Sequence, residues 1–203
     1  MKKFIIFSLL LMLMVTLSNC AKKDIEVTQP TAEEAEKIQA IGDSLSMKLL
    51  SSLKKELTTA ISEKGLVEAI RFCNLQALPV TAEIAKTYGK QVDIKRTSLK
   101  YRNPKNAPDR VETLALQYLE KLIKEGQALP PRYMQKVQEA GKTYYAYYKP
   151  LKVGGLCLAC HGNRGQMDTQ LRAALQELYP DDKAIGYKEG DFRGVVRVYI
   201  REP

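Results

Sequence analysis

The segment Cys157-Leu158-Ala159-Cys160-His161 contains the C-x-x-C-H motif, the most specific chemical pattern in the sequence. This motif is typical of c-type haem attachment, in which two thiols add to the two vinyl groups of the haem. The cysteines lie one helical turn apart, and the adjacent His161 then lies beneath the iron as its proximal ligand. The chain has four cysteines and one histidine, so chance is a poor explanation of the motif. We predict one covalently bound haem c on Cys157, Cys160 and His161.

Three other chemistries use the same residues. A thioredoxin-like redox pair also has C-x-x-C spacing, but such a site usually follows the first strand and has a Trp before it. This motif lies late in a chain that has no Trp. A structural zinc site would combine Cys73 with the motif as Cys₃His, although the adjacent Cys160 and His161 fit poorly around one tetrahedral ion. A simple disulfide is the third alternative, and we prefer haem to all three.

The N-terminus has the features of a bacterial lipoprotein signal. Two lysines precede an apolar run over 4–17 that is too short for a membrane-spanning helix. The sequence Leu17-Ser18-Asn19-Cys20 resembles a lipobox and predicts lipidation of Cys20 at a membrane, facing the periplasm in the bacterial cell envelope. A plain signal peptide with a chance cysteine is the alternative. The predicted segments are a signal peptide over 1–19, a lipidated tether over 20–30 and a single c-type haem-binding domain over 31–203.

The second axial ligand of the iron is a separate question, because a single histidine cannot supply both. The candidates are Met47, Met134, Met167 and Cys73. Met167 follows His161 by six residues, which places it on the proximal side, and the other two methionines have the spacing of core residues. Cys73 is the one cysteine left unpaired if Cys20 is lipidated and Cys157 and Cys160 are bonded to haem, which is unusual in an exported protein. A small buried hydrophobe at Cys73 and a vacant distal position are the alternatives.

The formal charge of +9 becomes +7, with 30 basic and 23 acidic side chains, once the two leader lysines are removed. The predicted export of the protein argues against nucleic acid as its partner. Haem propionates, anionic lipids or an acidic redox protein are the natural counter-charges, and a purely solubilising charge is the alternative. Hydrophobic residues make up 45% and charged residues 27% of the chain, which is typical of a globular protein and excludes a disordered or fibrous one.

The pattern of apolar residues predicts helices and strands in one α+β domain. The predicted helices run from the capping box at Thr31 to Gly65, over about Leu66–Tyr88, from Pro108 to Gly126, and from Asp168 to Leu178. Pro79 is expected to bend or end the second of these helices. The predicted strands are Gln91–Thr97, a hairpin over Arg132–Lys149 that turns at Ala140-Gly141, and Val195–Ile200. Four tyrosines in the second arm of the hairpin are interpreted as a half-buried sheet.

Several further motifs occur in a distinctive order along the chain. They are Ala69–Cys73, Arg96–Pro104 with Asn106, Tyr148–Pro150, Cys157–Gly162, Tyr179–Ala184, Gly186-Tyr187 and Gly190–Gly194. In these motifs the chain resembles a family of bacterial haem-binding domains of formerly unknown function, found in cyanobacteria and in the sensor regions of some membrane kinases.

The resemblance implies a PAS-like antiparallel sheet with flanking helices and N-terminal helices packed on it. It also implies His/Cys axial ligation, and the family's ligand cysteine falls on Cys73. One departure is that the family often has Ala-Pro soon after this cysteine, whereas this chain has Ala77-Leu78-Pro79. The kinase-attached relatives imply sensing, which here would require a signalling protein as partner.

These residues lead to three functional hypotheses. A thiolate ligand lowers the reduction potential of haem iron, so a redox or gas sensor would release Cys73 on reduction. A simple membrane-associated electron-transfer protein would keep both ligands. A haem peroxidase or nitrite-type reductase is the third hypothesis, but no distal histidine supports it, and we expect no enzyme. Arg96, Lys100 and Arg102 are candidate partners of the haem propionates, with a solvated basic loop as the alternative.

Overall fold

The structure is a computed structural model that describes residues 25–201. Its helices are Ala32–Lys86 (α1), Arg110–Lys124 (α2), Leu158–His161 (α3) and Thr169–Leu178 (α4). Its strands are Ile25–Thr28 (β1), Val92–Thr97 (β2), Tyr133–Glu139 (β3), Lys142–Lys152 (β4) and Phe192–Ile200 (β5). The strand order is β1-β3-β4-β5-β2, with all neighbours antiparallel. This confirms the predicted α+β class. The leader over 1–19 and Cys20 lie outside the described residues, so their assignments stay predictions.

Helix α1 is a hairpin of two arms, over 32–64 and 66–86, that meet at Gly65. The helix begins with a capping box, in which Thr31 and Glu34 each accept a hydrogen bond from the other's backbone N–H. Gly65 is the one non-helical residue inside α1, with φ 78° and ψ 175°. The arms then run back along each other, and the Tyr88 hydroxyl just after the second arm lies 3.2 Å from Ser44 Oγ on the first. The predicted break at Gly65 is confirmed, and Pro79 is accommodated inside the second arm.

The sheet is covered on both faces. Helix α1 packs on one face in a cluster that contains Ile38, Leu45, Leu49, Tyr145, Tyr147, Val196 and Val198. Helix α2 packs on the other face in a cluster that contains Val111, Leu116, Leu119, Val137, Ala146, Tyr148 and Val195. Successive side chains of a strand point to opposite faces, so the tyrosines of β4 are divided between the two clusters. The central strand is therefore more deeply buried than the half-buried sheet expected from sequence.

The hairpin of β3 and β4 turns where the sequence predicts. Ala140 has φ 52° and Gly141 has φ 75°, and positive φ at both turn positions is the geometry that suits the twist of a two-residue hairpin. At the edge of the sheet, Ile25–Thr28 pairs with β3, with Val27 opposite Val137. These four residues belong to the predicted tether over 20–30, but they form strand β1 instead, because the apolar Ile25 and Val27 pack against the α2 cluster.

The C-terminal part of the chain builds one end of the molecule from short elements. Helix α4 packs against Ile70 on the second arm of α1 through Leu171 and Leu175, and Tyr179, the residue after α4, packs there as well. Cys160 of α3 joins this cluster. The side chain of Arg71 pairs with Glu177 at 3.1 Å across the same contact. The second arm of α1 therefore lies over the segment that contains the C-x-x-C-H motif. No helix within residues 25–201 is long and apolar enough to span a bilayer.

Candidate functional site

The imidazole of His161 is held by a backbone carbonyl. His161 is the last residue of α3, and its Nδ1 atom lies 2.7 Å from the carbonyl oxygen of Ala184. A proton on Nδ1 makes this hydrogen bond, which leaves Nε2 unprotonated and available as a metal ligand. Burial lowers the pKa of His161 to about 3, and the cations of Arg102 and Arg193 act in the same direction. The imidazole is therefore neutral at physiological pH, as ligation requires.

Arg102 ties the motif to the loop over 179–191. Its Nε donates to Asp182 Oδ2 at 3.1 Å, and its second guanidinium nitrogen donates to the carbonyl oxygens of Cys160 and Ala184. Asp182 Oδ1 also accepts from the N–H of Ala184 at 2.8 Å. The Arg102 and Asp182 side chains are 10% and 0% exposed. The sequence suggested Arg102 as a propionate partner, but its Nε and Nη2 atoms bind Asp182, Cys160 and Ala184 and so position this loop beside His161.

Lys100 is also engaged with the loop. Its Nζ donates to the carbonyl oxygen of Ile185 at 2.6 Å and lies 4.2 Å from the centre of the Tyr187 ring. The Tyr187 ring meets His161 edge to face, with 6.3 Å between ring centres. Of the three basic residues that the sequence suggested as propionate partners, Arg96 alone makes no such bond to this loop. Lys100 and Arg102 thus stabilise the loop that packs on His161.

The three described cysteines lie at the same end of the molecule as free thiols. Cys157 is exposed, whereas Cys160 and Cys73 are half-buried. Cys73 lies one turn after Ile70, the residue of the second arm that packs in one cluster with Cys160. Burial raises the pKa of the Cys73 thiol, and the Arg96 cation partly opposes this. The structure therefore brings the predicted distal ligand close to the predicted attachment cysteines, although they are far apart in sequence.

The methionine candidates are placed differently from one another. Met167 packs against the buried cluster of Ile70 and α4 that Cys160 also contacts, and Met134 packs against the cluster between α1 and the sheet. Met47 is 64% exposed on α1. Its predicted core position is wrong, because the face of α1 on which it lies points to solvent. Only Met167 and Cys73 among these four candidates lie beside the motif.

The zinc alternative has no geometric support in the described part of the chain. Within residues 25–201, no three His, Cys, Asp or Glu side chains converge on one point as a metal-ion site. A Cys₃His centre needs four ligand atoms about 2.0–2.3 Å from a single ion. Cys73 and the motif thus lie near each other without forming a tetrahedral set.

Arg193 is a residue of the site that the sequence reasoning missed. Its Nη1 donates to the carbonyl oxygen of Lys100 at 3.1 Å, and its guanidinium lies 5.4 Å from the centre of the Tyr187 ring. Arg193 also acts electrostatically on His161 and on Arg96. Its presence in the motif Gly190–Gly194 was the one sequence signal for it. The residues around His161 and Cys73 therefore include two adjacent arginines.

Comparison with known proteins gives an independent view of this arrangement. A family model described as Tll0287-like matches residues 18–201. Among solved structures, the chain is similar to one titled "Crystal structure of the cyanobacterial heme-protein Tll0287", with a TM-score of 0.55 and 25% sequence identity, covering 86% of this chain and 98% of that chain. No curated protein matches the chain. Because the family model spans nearly the whole sequence and the fold agrees with the PAS-like α+β architecture, this protein belongs to the Tll0287-like family.

Proposed function

We propose that this protein binds one haem c, attached to Cys157 and Cys160 with His161 and Cys73 as axial ligands, and acts as a redox sensor of the cell envelope. Its relation to a cyanobacterial haem protein supports haem binding. The observation that carries the proposal is the 2.7 Å hydrogen bond of His161 Nδ1 to Ala184. It orients a neutral imidazole, with Nε2 free, next to two thiols at the c-type spacing.

The residues present fit such a group. Attachment needs thiols that haem can reach, and Cys157 is exposed. The iron needs a fixed neutral imidazole, which the loop over 179–191 provides through Ala184. When bound, haem supplies one-electron chemistry at its iron, and the protein sets the ligands, the burial and the surrounding charge. The residues of this chain therefore hold and tune the group.

Cys73 is the ligand that favours sensing over simple electron transfer. A thiolate stabilises ferric iron more than ferrous iron, so this bond is the one that responds to the redox state. Cys73 lies on the second arm of α1, which contacts α4 through Ile70 and the Arg71–Glu177 pair. The same arm leads directly into β2 of the sheet. A change at Cys73 is therefore coupled to both helix packing and the sheet edge, where a signalling protein would detect it.

The test is the absorption spectrum of the mature protein, ferric and ferrous, expressed with haem-attachment machinery. Cys73→Ser is compared with Met167→Leu, a matched change at the other candidate beside the motif. We expect covalent haem in all three proteins and loss of the thiolate spectrum only in Cys73→Ser. Carbon monoxide should bind the reduced native protein, since an open position follows release of the thiolate.

Other outcomes separate the alternatives. Absence of covalent haem would refute the proposal and favour a thiol-disulfide function of the cysteines. An unchanged spectrum in Cys73→Ser would make Cys73 a core residue, and a change in Met167→Leu would identify methionine as the ligand. If the reduced native protein does not bind carbon monoxide, a simple electron-transfer protein, in which both ligands stay bound, would be favoured.

The proposed location is the periplasmic side of a membrane, reached through lipidation of Cys20. Strand β1 begins at Ile25, and a chain of five residues spans at most about 18 Å. The β1 edge of the sheet would therefore lie close to the lipid surface. Cys20→Ser should move the protein from the membrane fraction to the soluble periplasmic fraction and abolish fatty-acid labelling. An unlabelled native protein would leave a plain signal peptide as the correct interpretation.

A further inference from the structure

Two arginines approach each other at the end of the sheet next to the proposed axial ligands. On β2, Val92 and Ile94 contribute to the apolar cluster under α1, and the alternation of the strand places Arg96 on the same face. Lys95 points to the other face, where its Nζ meets Glu112 at 2.7 Å. Arg96 is therefore a half-buried cation at a position where the pattern of the strand calls for an apolar side chain.

Arg193 reaches the same place because of a β-bulge. Between β4 and β5, Leu151 pairs with Gly194 and Lys152 pairs with Phe192, so Arg193 is the extra residue on β5. A bulge of this kind changes the direction of a side chain and often lies beside a functional site. The bulge thus turns Arg193 out of the ladder and toward Tyr187, whose ring it contacts.

Gly194 brings the bulge close to the end of β2. A Cβ atom at Gly194 would lie 2.4 Å from the carbonyl oxygen of Thr97 and 2.7 Å from Ser98 Cβ. Only glycine allows this approach of the two backbones, at a φ of 137°. Because Thr97 directly follows Arg96, the close contact holds the two arginines near each other.

Neither arginine is neutralised by an Asp or Glu in the part of the chain that the structure describes. Several other arginines of the fold pair with a carboxylate, as in Arg102–Asp182, Arg132–Asp43 and Arg197–Glu112. Burial lowers the pKa of Arg96, and the neighbouring Arg193 lowers it further. Burial also lowers the pKa of Arg193, and although Asp182 opposes this, that carboxylate is hydrogen-bonded to Arg102. Two adjacent cations without a counter-ion destabilise a fold.

The complement to this pair is a ligand with two carboxylates. Guanidinium groups bind carboxylates in a bidentate fork, with specific geometry. Arg96 lies near Cys73, and Arg193 contacts the tyrosine that packs on His161. The pair therefore lies beside both residues proposed to bind the iron, and its guanidinium groups would be available to the carboxylates of a bound haem. A haem has two propionate carboxylates, and their combined charge matches the two cations.

We propose that Arg96 and Arg193 form the binding site for the two propionate carboxylates of the haem. This assignment rests on the proposed function. Of the three residues that the sequence suggested for this role, it keeps Arg96 and replaces Lys100 and Arg102 with Arg193. It explains why the fold keeps a bulge and a glycine at the start of β5. It also explains why the two cations have no carboxylate partner in the described protein.

The test uses Arg96→Gln and Arg193→Gln in protein expressed with and without haem-attachment machinery. The matched control is Arg132→Gln, a partly buried arginine that pairs with Asp43 away from this site. Resonance Raman spectra of the haem-loaded proteins report the propionate bending modes. We expect these modes to shift in the first two variants and not in Arg132→Gln. We also expect the urea midpoint of the haem-loaded protein to fall in the first two variants, while the midpoint of the haem-free protein stays equal or rises. Arg132→Gln should lower both midpoints.

Unchanged propionate modes in both variants, with haem attached, would overturn the assignment and leave the proposed function intact. Equal loss of stability with and without haem would also overturn it, because the arginines would then be structural. Native protein without covalent haem would instead refute the proposed function. If a glutamine variant fails to accumulate, Arg96→Lys and Arg193→Lys keep the charge but lose the bidentate fork, and the same mode shifts are expected.

Discussion

The Nδ1 atom of His161 is hydrogen-bonded to the backbone of Ala184, a residue in the loop over 179–191. Asp182 accepts a bond from the N–H of Ala184 and pairs with Arg102. Arg102 in turn donates to the carbonyl oxygen of the residue before His161. The buried Arg102–Asp182 salt bridge therefore fixes both the backbone before His161 and the Ala184 carbonyl that orients the imidazole. The direction of His161 is a property of the whole loop rather than of α3, which is only four residues long.

Removal of the Asp182 carboxylate should strongly destabilise the protein. Asp182→Ala leaves the guanidinium of Arg102 buried without its counter-ion, and it removes the acceptor of the Ala184 N–H. Breaking one partner of a buried pair costs about 3–5 kcal/mol of unfolding free energy. Urea denaturation followed by circular dichroism measures this loss. The exposed pair of Arg71 and Glu177, with side chains 40% and 62% exposed, provides the control.

Glu177→Gln should cost no more than about 1 kcal/mol, because water screens an exposed ion pair. Similar losses in the two variants would mean that the Arg102–Asp182 pair is not a buried support of the site.

The contact of β5 with the end of β2 should tolerate no side chain at Gly194. Gly194→Ala would place a methyl group 2.4 Å from the Thr97 carbonyl oxygen, so the strands must separate at the bulge. Overpacking of this kind costs about 1–3 kcal/mol, added to the backbone strain of a positive φ. Gly126→Ala is the control, with φ 74° but no atom within 4 Å of the new Cβ. It should show only the strain, about 1–2 kcal/mol. Equal urea midpoints for Gly194→Ala and Gly126→Ala would contradict the close approach of Gly194 to Thr97.

Local features of this fold were predictable from sequence. The capping box at Thr31, the break at Gly65 and the turn at Ala140-Gly141 each depend on residues close together in the chain. Such features need only helix capping and the conformations open to glycine. The C-x-x-C-H motif belongs to the same class, because its spacing is set within one helical turn.

Features that depend on pairing between distant segments were not predictable. Strand β1 has four residues, and it is ordered by its ladder with β3 more than a hundred residues later. The role of Arg193 follows from a register shift between β4 and β5, and the sequence contains no sign of that shift. The commitment of Arg102 to Asp182 likewise depends on a contact over 80 positions. Basic residues near a site can bind a ligand or support a loop, and only the fold distinguishes these roles.

The salt-bridge network under α2 should support the fold without affecting the proposed haem site. Glu112 is fully buried, and its carboxylate accepts from Lys95 Nζ and Arg197 Nε, each at 2.7 Å. Glu112→Gln removes the carboxylate partner of Lys95 and leaves Arg197 with Asp93 alone, so it should cost about 3–5 kcal/mol. Because α2 covers the face of the sheet opposite α1, which carries Cys73, the absorption spectrum of the folded variant should equal that of the native protein.

Glu125→Gln serves as control at the C-cap of the same helix, since its side chain is 45% exposed and pairs loosely with Lys121 at 3.7 Å. It should leave stability within about 1 kcal/mol of the native value. A changed haem spectrum in Glu112→Gln would show that the two faces of the sheet are coupled.

The start of α1 should make stability depend on pH through Glu34. Hydrogen bonds from Lys136 and Tyr145 lower the pKa of this carboxyl from 4.5 to about 2, with Nζ and hydroxyl distances of 2.7 and 2.6 Å. A carboxylate whose pKa falls on folding stabilises the native state above its unfolded pKa, and this contribution is lost as the pH falls. The native protein should therefore be more stable than Glu34→Gln at neutral pH. The gap in their thermal midpoints should narrow between about pH 4.5 and pH 2.

Glu33→Gln is the matched control for this pH series. Glu33 is the neighbouring residue in the first turn of α1, but its side chain is 82% exposed and pairs only with Lys37 at 3.4 Å. An ion pair in that position contributes little to stability, so its thermal midpoint should follow that of the native protein at every pH. A gap for Glu34→Gln that stays constant down to about pH 2 would mean that the neutral hydrogen bonds, and not the charge of Glu34, join α1 to the hairpin. A gap of equal size in both variants would mean that the effect belongs to the helix terminus in general, where any negative charge in the first turn is favourable.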